Sequence, residues 1–160
     1  MSATTKEHPR VSSPRARGGR PAVWLAARVL GALSLLAVGA VHLQQYVELY
    51  SDIPTIGTLF VLNFAGATVT GLGLLAPLER LLGRLGGALV TLLALAGVAQ
   101  AATAFVFLYI SERTPLFGFM EPGYDPEAIL TSRITEAATA ILLGAFLVAR
   151  LLRRAPAARW

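Results

Sequence analysis

Cysteine is absent from the 160 residues, so disulfides, thiolate nucleophiles and cysteine metal ligands are excluded. Histidine occurs only twice, as His8 and His42, and only His42 lies in an apolar segment. A pair of axial histidines for a membrane haem is therefore not available within one chain. Charge is also scarce. Only 14% of residues are Asp, Glu, Lys or Arg, against about 25% in an average soluble domain. The chain shows no glycine-rich phosphate loop, no serine elbow, no HExxH and no zinc-ligand spacing. Its apolar runs lack the Gly/Pro break of a transporter substrate site, and no inverted repeat is visible.

What is there is apolar surface, 55% of all residues, gathered into long runs. A chain this short and this apolar cannot cover a globule with polar surface, so lipid is its natural solvent. Four spans are expected, at about 22–47, 56–78, 85–110 and 128–152. Each is long enough to cross a hydrocarbon core of about 30 Å at about 1.5 Å per residue. A cleaved signal peptide would have an apolar core of about 7–15 residues. The first run is longer and more spans follow, so it is read as a retained helix. Pro54 suits a first helical turn, with Ser51 or Asp52 as its cap. Residues 66 and 70, and 67 and 71, are pairs of small side chains at the spacing that lets helices approach closely in lipid.

The fold class expected is an all-α integral membrane protein, a four-transmembrane-helix bundle. Residues 1–20 read as a disordered basic tail, 21–152 as the membrane domain and 153–160 as a second basic tail. The charges orient it. The N-terminal stretch through Arg28, the corner after the second span and the C-terminal stretch hold 6, 2 and 4 basic residues, 12 of the 14. The two remaining connections and their flanks hold seven of the nine acids. Both termini are therefore expected in the cytoplasm, with the chain multi-pass in the plasma membrane of a bacterium. Arg28, near the cytoplasmic end of its span, is expected to snorkel to the headgroups.

Polar residues inside the spans mark a layer. His42, Asn63, Gln100 and Glu136 come one from each span, at roughly 8–15 Å below the outer surface by helical rise. Such groups are costly in lipid and should face one another. Tyr46 and Tyr50 follow His42 at steps of four, and Arg133 precedes Glu136 by three. The layer is thus His42, Tyr46, Asn63, Gln100, Arg133 and Glu136. It has a structural reading: His42 as a bundle cap, Glu136 paired with Arg133, Asn63 and Gln100 as interhelical glue. It also has a chemical one, in which the set shuttles protons, holds haem or grips a quinone headgroup. One His and one Glu are too few ligands for a metal.

The run HLQQYVELYSDIPTIGTLFVLN resembles a group of small four-span bacterial membrane proteins of unassigned function. These share a histidine closing the first helix, a tyrosine-bearing corner, IPTIG, then LF and an Asn opening the second. By size and topology alone the chain is similar to DoxX-like membrane proteins, some of which associate with quinone or thiol redox systems. Neither resemblance implies an activity. The expected partners are the bilayer and a homo-oligomer or larger membrane complex, with no nucleic acid. No cofactor and no catalytic residue are assigned. A non-catalytic bundle or accessory subunit comes first. A small redox or ligand-binding protein with an outward-facing polar pocket, and an oligomeric transporter-like protein, are the alternatives.

Overall fold

A computed structural model describes residues 19–154; residues 1–18 and 155–160, which hold most of both tails and His8, lie outside that range, while residues 19–20 and 153–154 belong to helices. Four helices follow one another: α1 (Gly19–Gln45), α2 (Pro54–Leu75), α3 (Leu78–Ser111) and α4 (Pro126–Arg154). A π-turn, Tyr46–Tyr50, continues α1. All four helices are long and apolar enough to cross a membrane. Large apolar side chains such as Val69, Leu85, Ile141 and Leu152 stand exposed on the outside of the bundle, as a lipid solvent requires.

The connections alternate between the two ends. Residues 51–53 join the π-turn to α2, and residues 112–125 join α3 to α4; this is the loop end. Ala76 and Pro77 join α2 to α3 at the opposite, basic end, where the described chain also begins and finishes. Pro54 does stand in the first turn of α2, but the cap position is Ile53, with no side-chain cap. The polar corner after α2 is itself a helical turn. It is broken at Gly83, whose φ of 53° favours a residue without Cβ, and a Cβ on Gly86 would overlap the Leu78 carbonyl.

The basic half of the bundle is densely packed. Ala32, Leu74, Val90, Ala94, Leu143, Phe146 and Leu147 form its core. Small residues set the spacing here: Gly39 lies against Ala67, and Gly71 against Leu36 and the Ala32 carbonyl, so α1 and α2 nearly touch. Arg28 does not snorkel outward. It is 8% exposed, and it donates to the Leu74 and Ala76 carbonyls at 2.6 and 2.8 Å. Both carbonyls lie at the C-terminal end of α2, where the last turn leaves acceptors without helical partners, although Ala76 also accepts from the Leu78 amide. Arg28 also pairs with Glu79 at 3.2 Å, and Glu79 pairs with Arg150 at 2.6 Å, so one carboxylate joins α1, α3 and α4.

Candidate functional site

The loop half is hollow. A cavity of about 500 Å³ lies between the helices, under the 112–125 connection. Most of its wall is apolar, with Leu59, Phe60, Ala104 and Phe107 among the lining residues. The polar exceptions include His42, Asn63, Gln100 and Glu136, one from each helix. Leu62, Ala99 and Thr103 line the cavity and are also exposed on the outer surface of the bundle. These exposed lining residues all lie on α2 and α3, the neighbouring pair that touches least.

His42 and Glu136 face each other across this space, with Nε2 3.9 Å from Oε1. The His42 Nδ1 lies 2.9 Å from the Val38 carbonyl, which can only accept, so the ring hydrogen sits on Nδ1. In the neutral ring Nε2 is then an acceptor turned toward the carboxyl group. Phe60 packs against the His42 ring at 5.0 Å and against the Tyr50 ring at 4.8 Å, which fixes the orientation of both. Glu136 is 1% exposed, and its Oε2 has no hydrogen-bond partner among the described residues. A buried carboxyl oxygen left in that state costs about 1–3 kcal/mol or more.

Opposite this pair, the Gln100 carboxamide donates to the Asn63 backbone oxygen at 2.7 Å and to its Oδ1 at 3.0 Å. Gly66 makes room for it, since a Cβ there would approach the Gln100 Oε1 to 3.1 Å. Asn63 and Gln100 thus join α2 to α3 along one edge of the cavity.

Tyr46 and Arg133 lie outside the lining. In the π-turn, bonding runs from i to i+5, so residues there are displaced around the axis relative to an α-helix. Tyr46 then lies by Gly57 in the first turn of α2, while Tyr50, 4% exposed, reaches the cavity. Arg133 forms a double ion-paired hydrogen bond with Glu112 at the end of α3, not a pair with Glu136.

A roof closes the cavity at the loop end. The Tyr50 hydroxyl donates to Glu121 at 2.5 Å, and Gln45 donates to Asp125 at 2.8 Å. Glu121 in turn accepts from the Gly123 and Tyr124 amides, and its own amide bonds the Ser111 carbonyl at 2.8 Å. Phe119 is drawn inward, edge-on to Tyr50 at 5.6 Å, while Phe117 and Tyr124 stay exposed. Asp125 accepts from the Ala128 amide at 3.0 Å just before Pro126. It is the N-cap of α4, with proline in the first turn, a signature present in the residues DPEA. The Ala128 amide first, and the Gln45 carboxamide second, hold its carboxyl below the ordinary range.

Among the described residues no three His, Asp or Glu side chains gather as a metal-binding group. What the arrangement can do is hold a molecule that is mostly apolar and carries a hydrogen-bonding head. The walls suit the apolar part, and the His42–Glu136 pair and Asn63 suit the head. Comparison with protein-family models, curated proteins and solved structures gives no match.

Proposed function

We propose that this membrane bundle binds a bilayer-soluble amphiphile whose polar head is of the quinone type, able to accept and donate hydrogen bonds. The ligand passes between α2 and α3 from the lipid, and its head lies against Glu136 and His42. The observation that carries this reading is the Glu136 carboxyl. It is 1% exposed, has an unpartnered Oε2 among the described residues, and lines a cavity of about 500 Å³ whose exposed lining residues lie on α2 and α3. A residue that only held the bundle together would be expected to use both oxygens. The charge distribution supports placing the loop end outside the plasma membrane and both chain ends in the cytoplasm.

The test is direct. The protein is purified in mild detergent, its organic extract is analysed by mass spectrometry, and a short-chain quinone analogue is titrated into it. The wild type is expected to bind the analogue saturably. Glu136→Leu, which removes both donor and acceptor, is expected to weaken it by about tenfold or more, the loss of one hydrogen bond. Equal binding, or none, by wild type and variant sinks the proposal.

A further inference from the structure

The 112–125 connection carries a turn that its role as a roof does not explain. Leu116 and Phe119 bond each other in both directions, at 2.7 and 3.0 Å, and both line the large cavity. Phe117 and Gly118 form the tip between them, with φ of 52° and 82°. Positive φ at both central residues defines a tight hairpin turn that favours Asn-Gly. Gly118 fits it. Phe117 is strained there, and it is 57% exposed. In water, an aromatic residue at this position would add strain and gain little burial.

The surroundings of the ring are those of a lipid-facing wall. Phe117 meets Phe107 edge-on, with centroids 5.8 Å apart. Phe107 stands one turn before the end of α3 at Ser111, about 6 Å below that end by helical rise. The tip therefore folds back along the span rather than standing clear of it. Phe105, Val106 and Tyr109, beside Phe107, are exposed on a helix long and apolar enough to cross a membrane. The Arg113 guanidinium lies 3.5 Å from the centre of the Tyr109 ring and donates to the Tyr109 carbonyl at 2.7 Å. An aromatic ring with a cation at a span end marks the headgroup level. Residues 114–120, TPLFGFM, carry no charge, and Met120 is exposed beside the tip. We infer that the hairpin tip rests in the bilayer, at the boundary between headgroups and acyl chains. The Phe117 ring holds it there, and Met120 shares the contact with lipid. At that boundary the ring leaves water, while the backbone groups of Phe117 and Gly118 still reach headgroups and water. This contact is independent of what the cavity binds.

The experiment uses the full chain in phosphatidylcholine bilayers. Trp24→Phe and Trp160→Phe remove the two native indoles, and Phe117→Trp then supplies the only one. Its emission is expected to be lost largely to brominated phosphatidylcholine and little to aqueous iodide. A spin label on Met120→Cys reads the same level with Phe117 and both native tryptophans in place, since the chain has no other cysteine. Its collisions with oxygen, which concentrates in lipid, should exceed those with a water-soluble nickel chelate. Phe117→Asn keeps the turn, because asparagine takes positive φ readily, and should lower that ratio. Preference for the aqueous quencher at either position, or a ratio at 120 that Phe117→Asn leaves unchanged, overturns the inference. Protection from every quencher would put a second protein chain on the tip, and overturns it too.

Discussion

Asp125 shows how much one side chain carries at the loop end. It caps α4 and receives Gln45, so it ties the start of one helix to the end of another. Its folded-state carboxyl titrates below the ordinary value of about 3.9. A group depressed in this way stabilises fully above the unfolded value and loses that contribution as pH falls through the folded one. Amide protection factors in residues 112–128, taken relative to the intrinsic exchange rate at each pH, should therefore fall on acidification below about pH 4. Glu121 stands in the same roof, so the comparison that isolates Asp125 is with Asp125→Asn. That variant keeps a capping oxygen and should show a shallower pH dependence, while Asp125→Ala should exchange faster at every pH. An identical pH profile for all three would remove Asp125 from the roof.

Residue by residue, depth was legible in the sequence and direction was not. Helical rise places His42, Asn63, Gln100 and Glu136 at one level whatever their neighbours do, and the structure brings all four to one cavity. Rotation about the axis depends on the π-turn, for which the run YVELY carries no signal. That is why Tyr50, rather than Tyr46, lines the cavity. Partner choice was equally hidden. Arg133 has an acid three residues away on its own helix, yet it pairs with Glu112, which the fold brings to it from α3.

Among the elements, the closeness of α1 and α2 rests on missing side chains. A Cβ on Gly71 would lie 2.7 Å from the Leu36 side chain and 3.3 Å from the Ala32 carbonyl. Gly71→Val should therefore destabilise by about 1–3 kcal/mol, measured as unfolding in mixed detergent. Gly144, also within a helix, meets nothing within 4 Å. Gly144→Ala should be neutral or stabilising by up to about 1 kcal/mol, through helix propensity. Equal losses at the two sites would mean that glycine content, not contact, governs the packing. The spans themselves were legible because apolar length alone defines them. The helical turn at Leu78–Leu82 was not, since the polar residues there read as a simple corner.

For the whole molecule, the proposed orientation has a convenient check because the chain has no cysteine. Single cysteines can be introduced into an otherwise silent background. Thr114→Cys in the loop-end connection should react with a membrane-impermeant maleimide on intact cells. Arg80→Cys, at the basic end, should react only after permeabilisation. The reverse pattern would invert the topology, and with it the side of the membrane the cavity faces. The same contrast of ends runs through the packing: a filled half beside the basic corner, a hollow half beside the loops.

The Glu79 junction bears on how the protein is made. Synthesis delivers α1 and α2 first, so Arg28 can meet the end of α2 early. Glu79 follows, and it gains Arg150 only when α4, the last of the four described helices, reaches its place. Glu136 arrives on that same helix. The junction therefore closes when α4 packs against the other three helices, and at the same stage the cavity acquires its carboxyl group. A nascent chain halted before α4 should be cleared by membrane proteases much faster than the full chain. Glu79→Gln should shorten the full chain's lifetime without changing how many helices insert. In this protein, the closing of the Glu79 junction and the arrival of the Glu136 carboxyl at the cavity are one event.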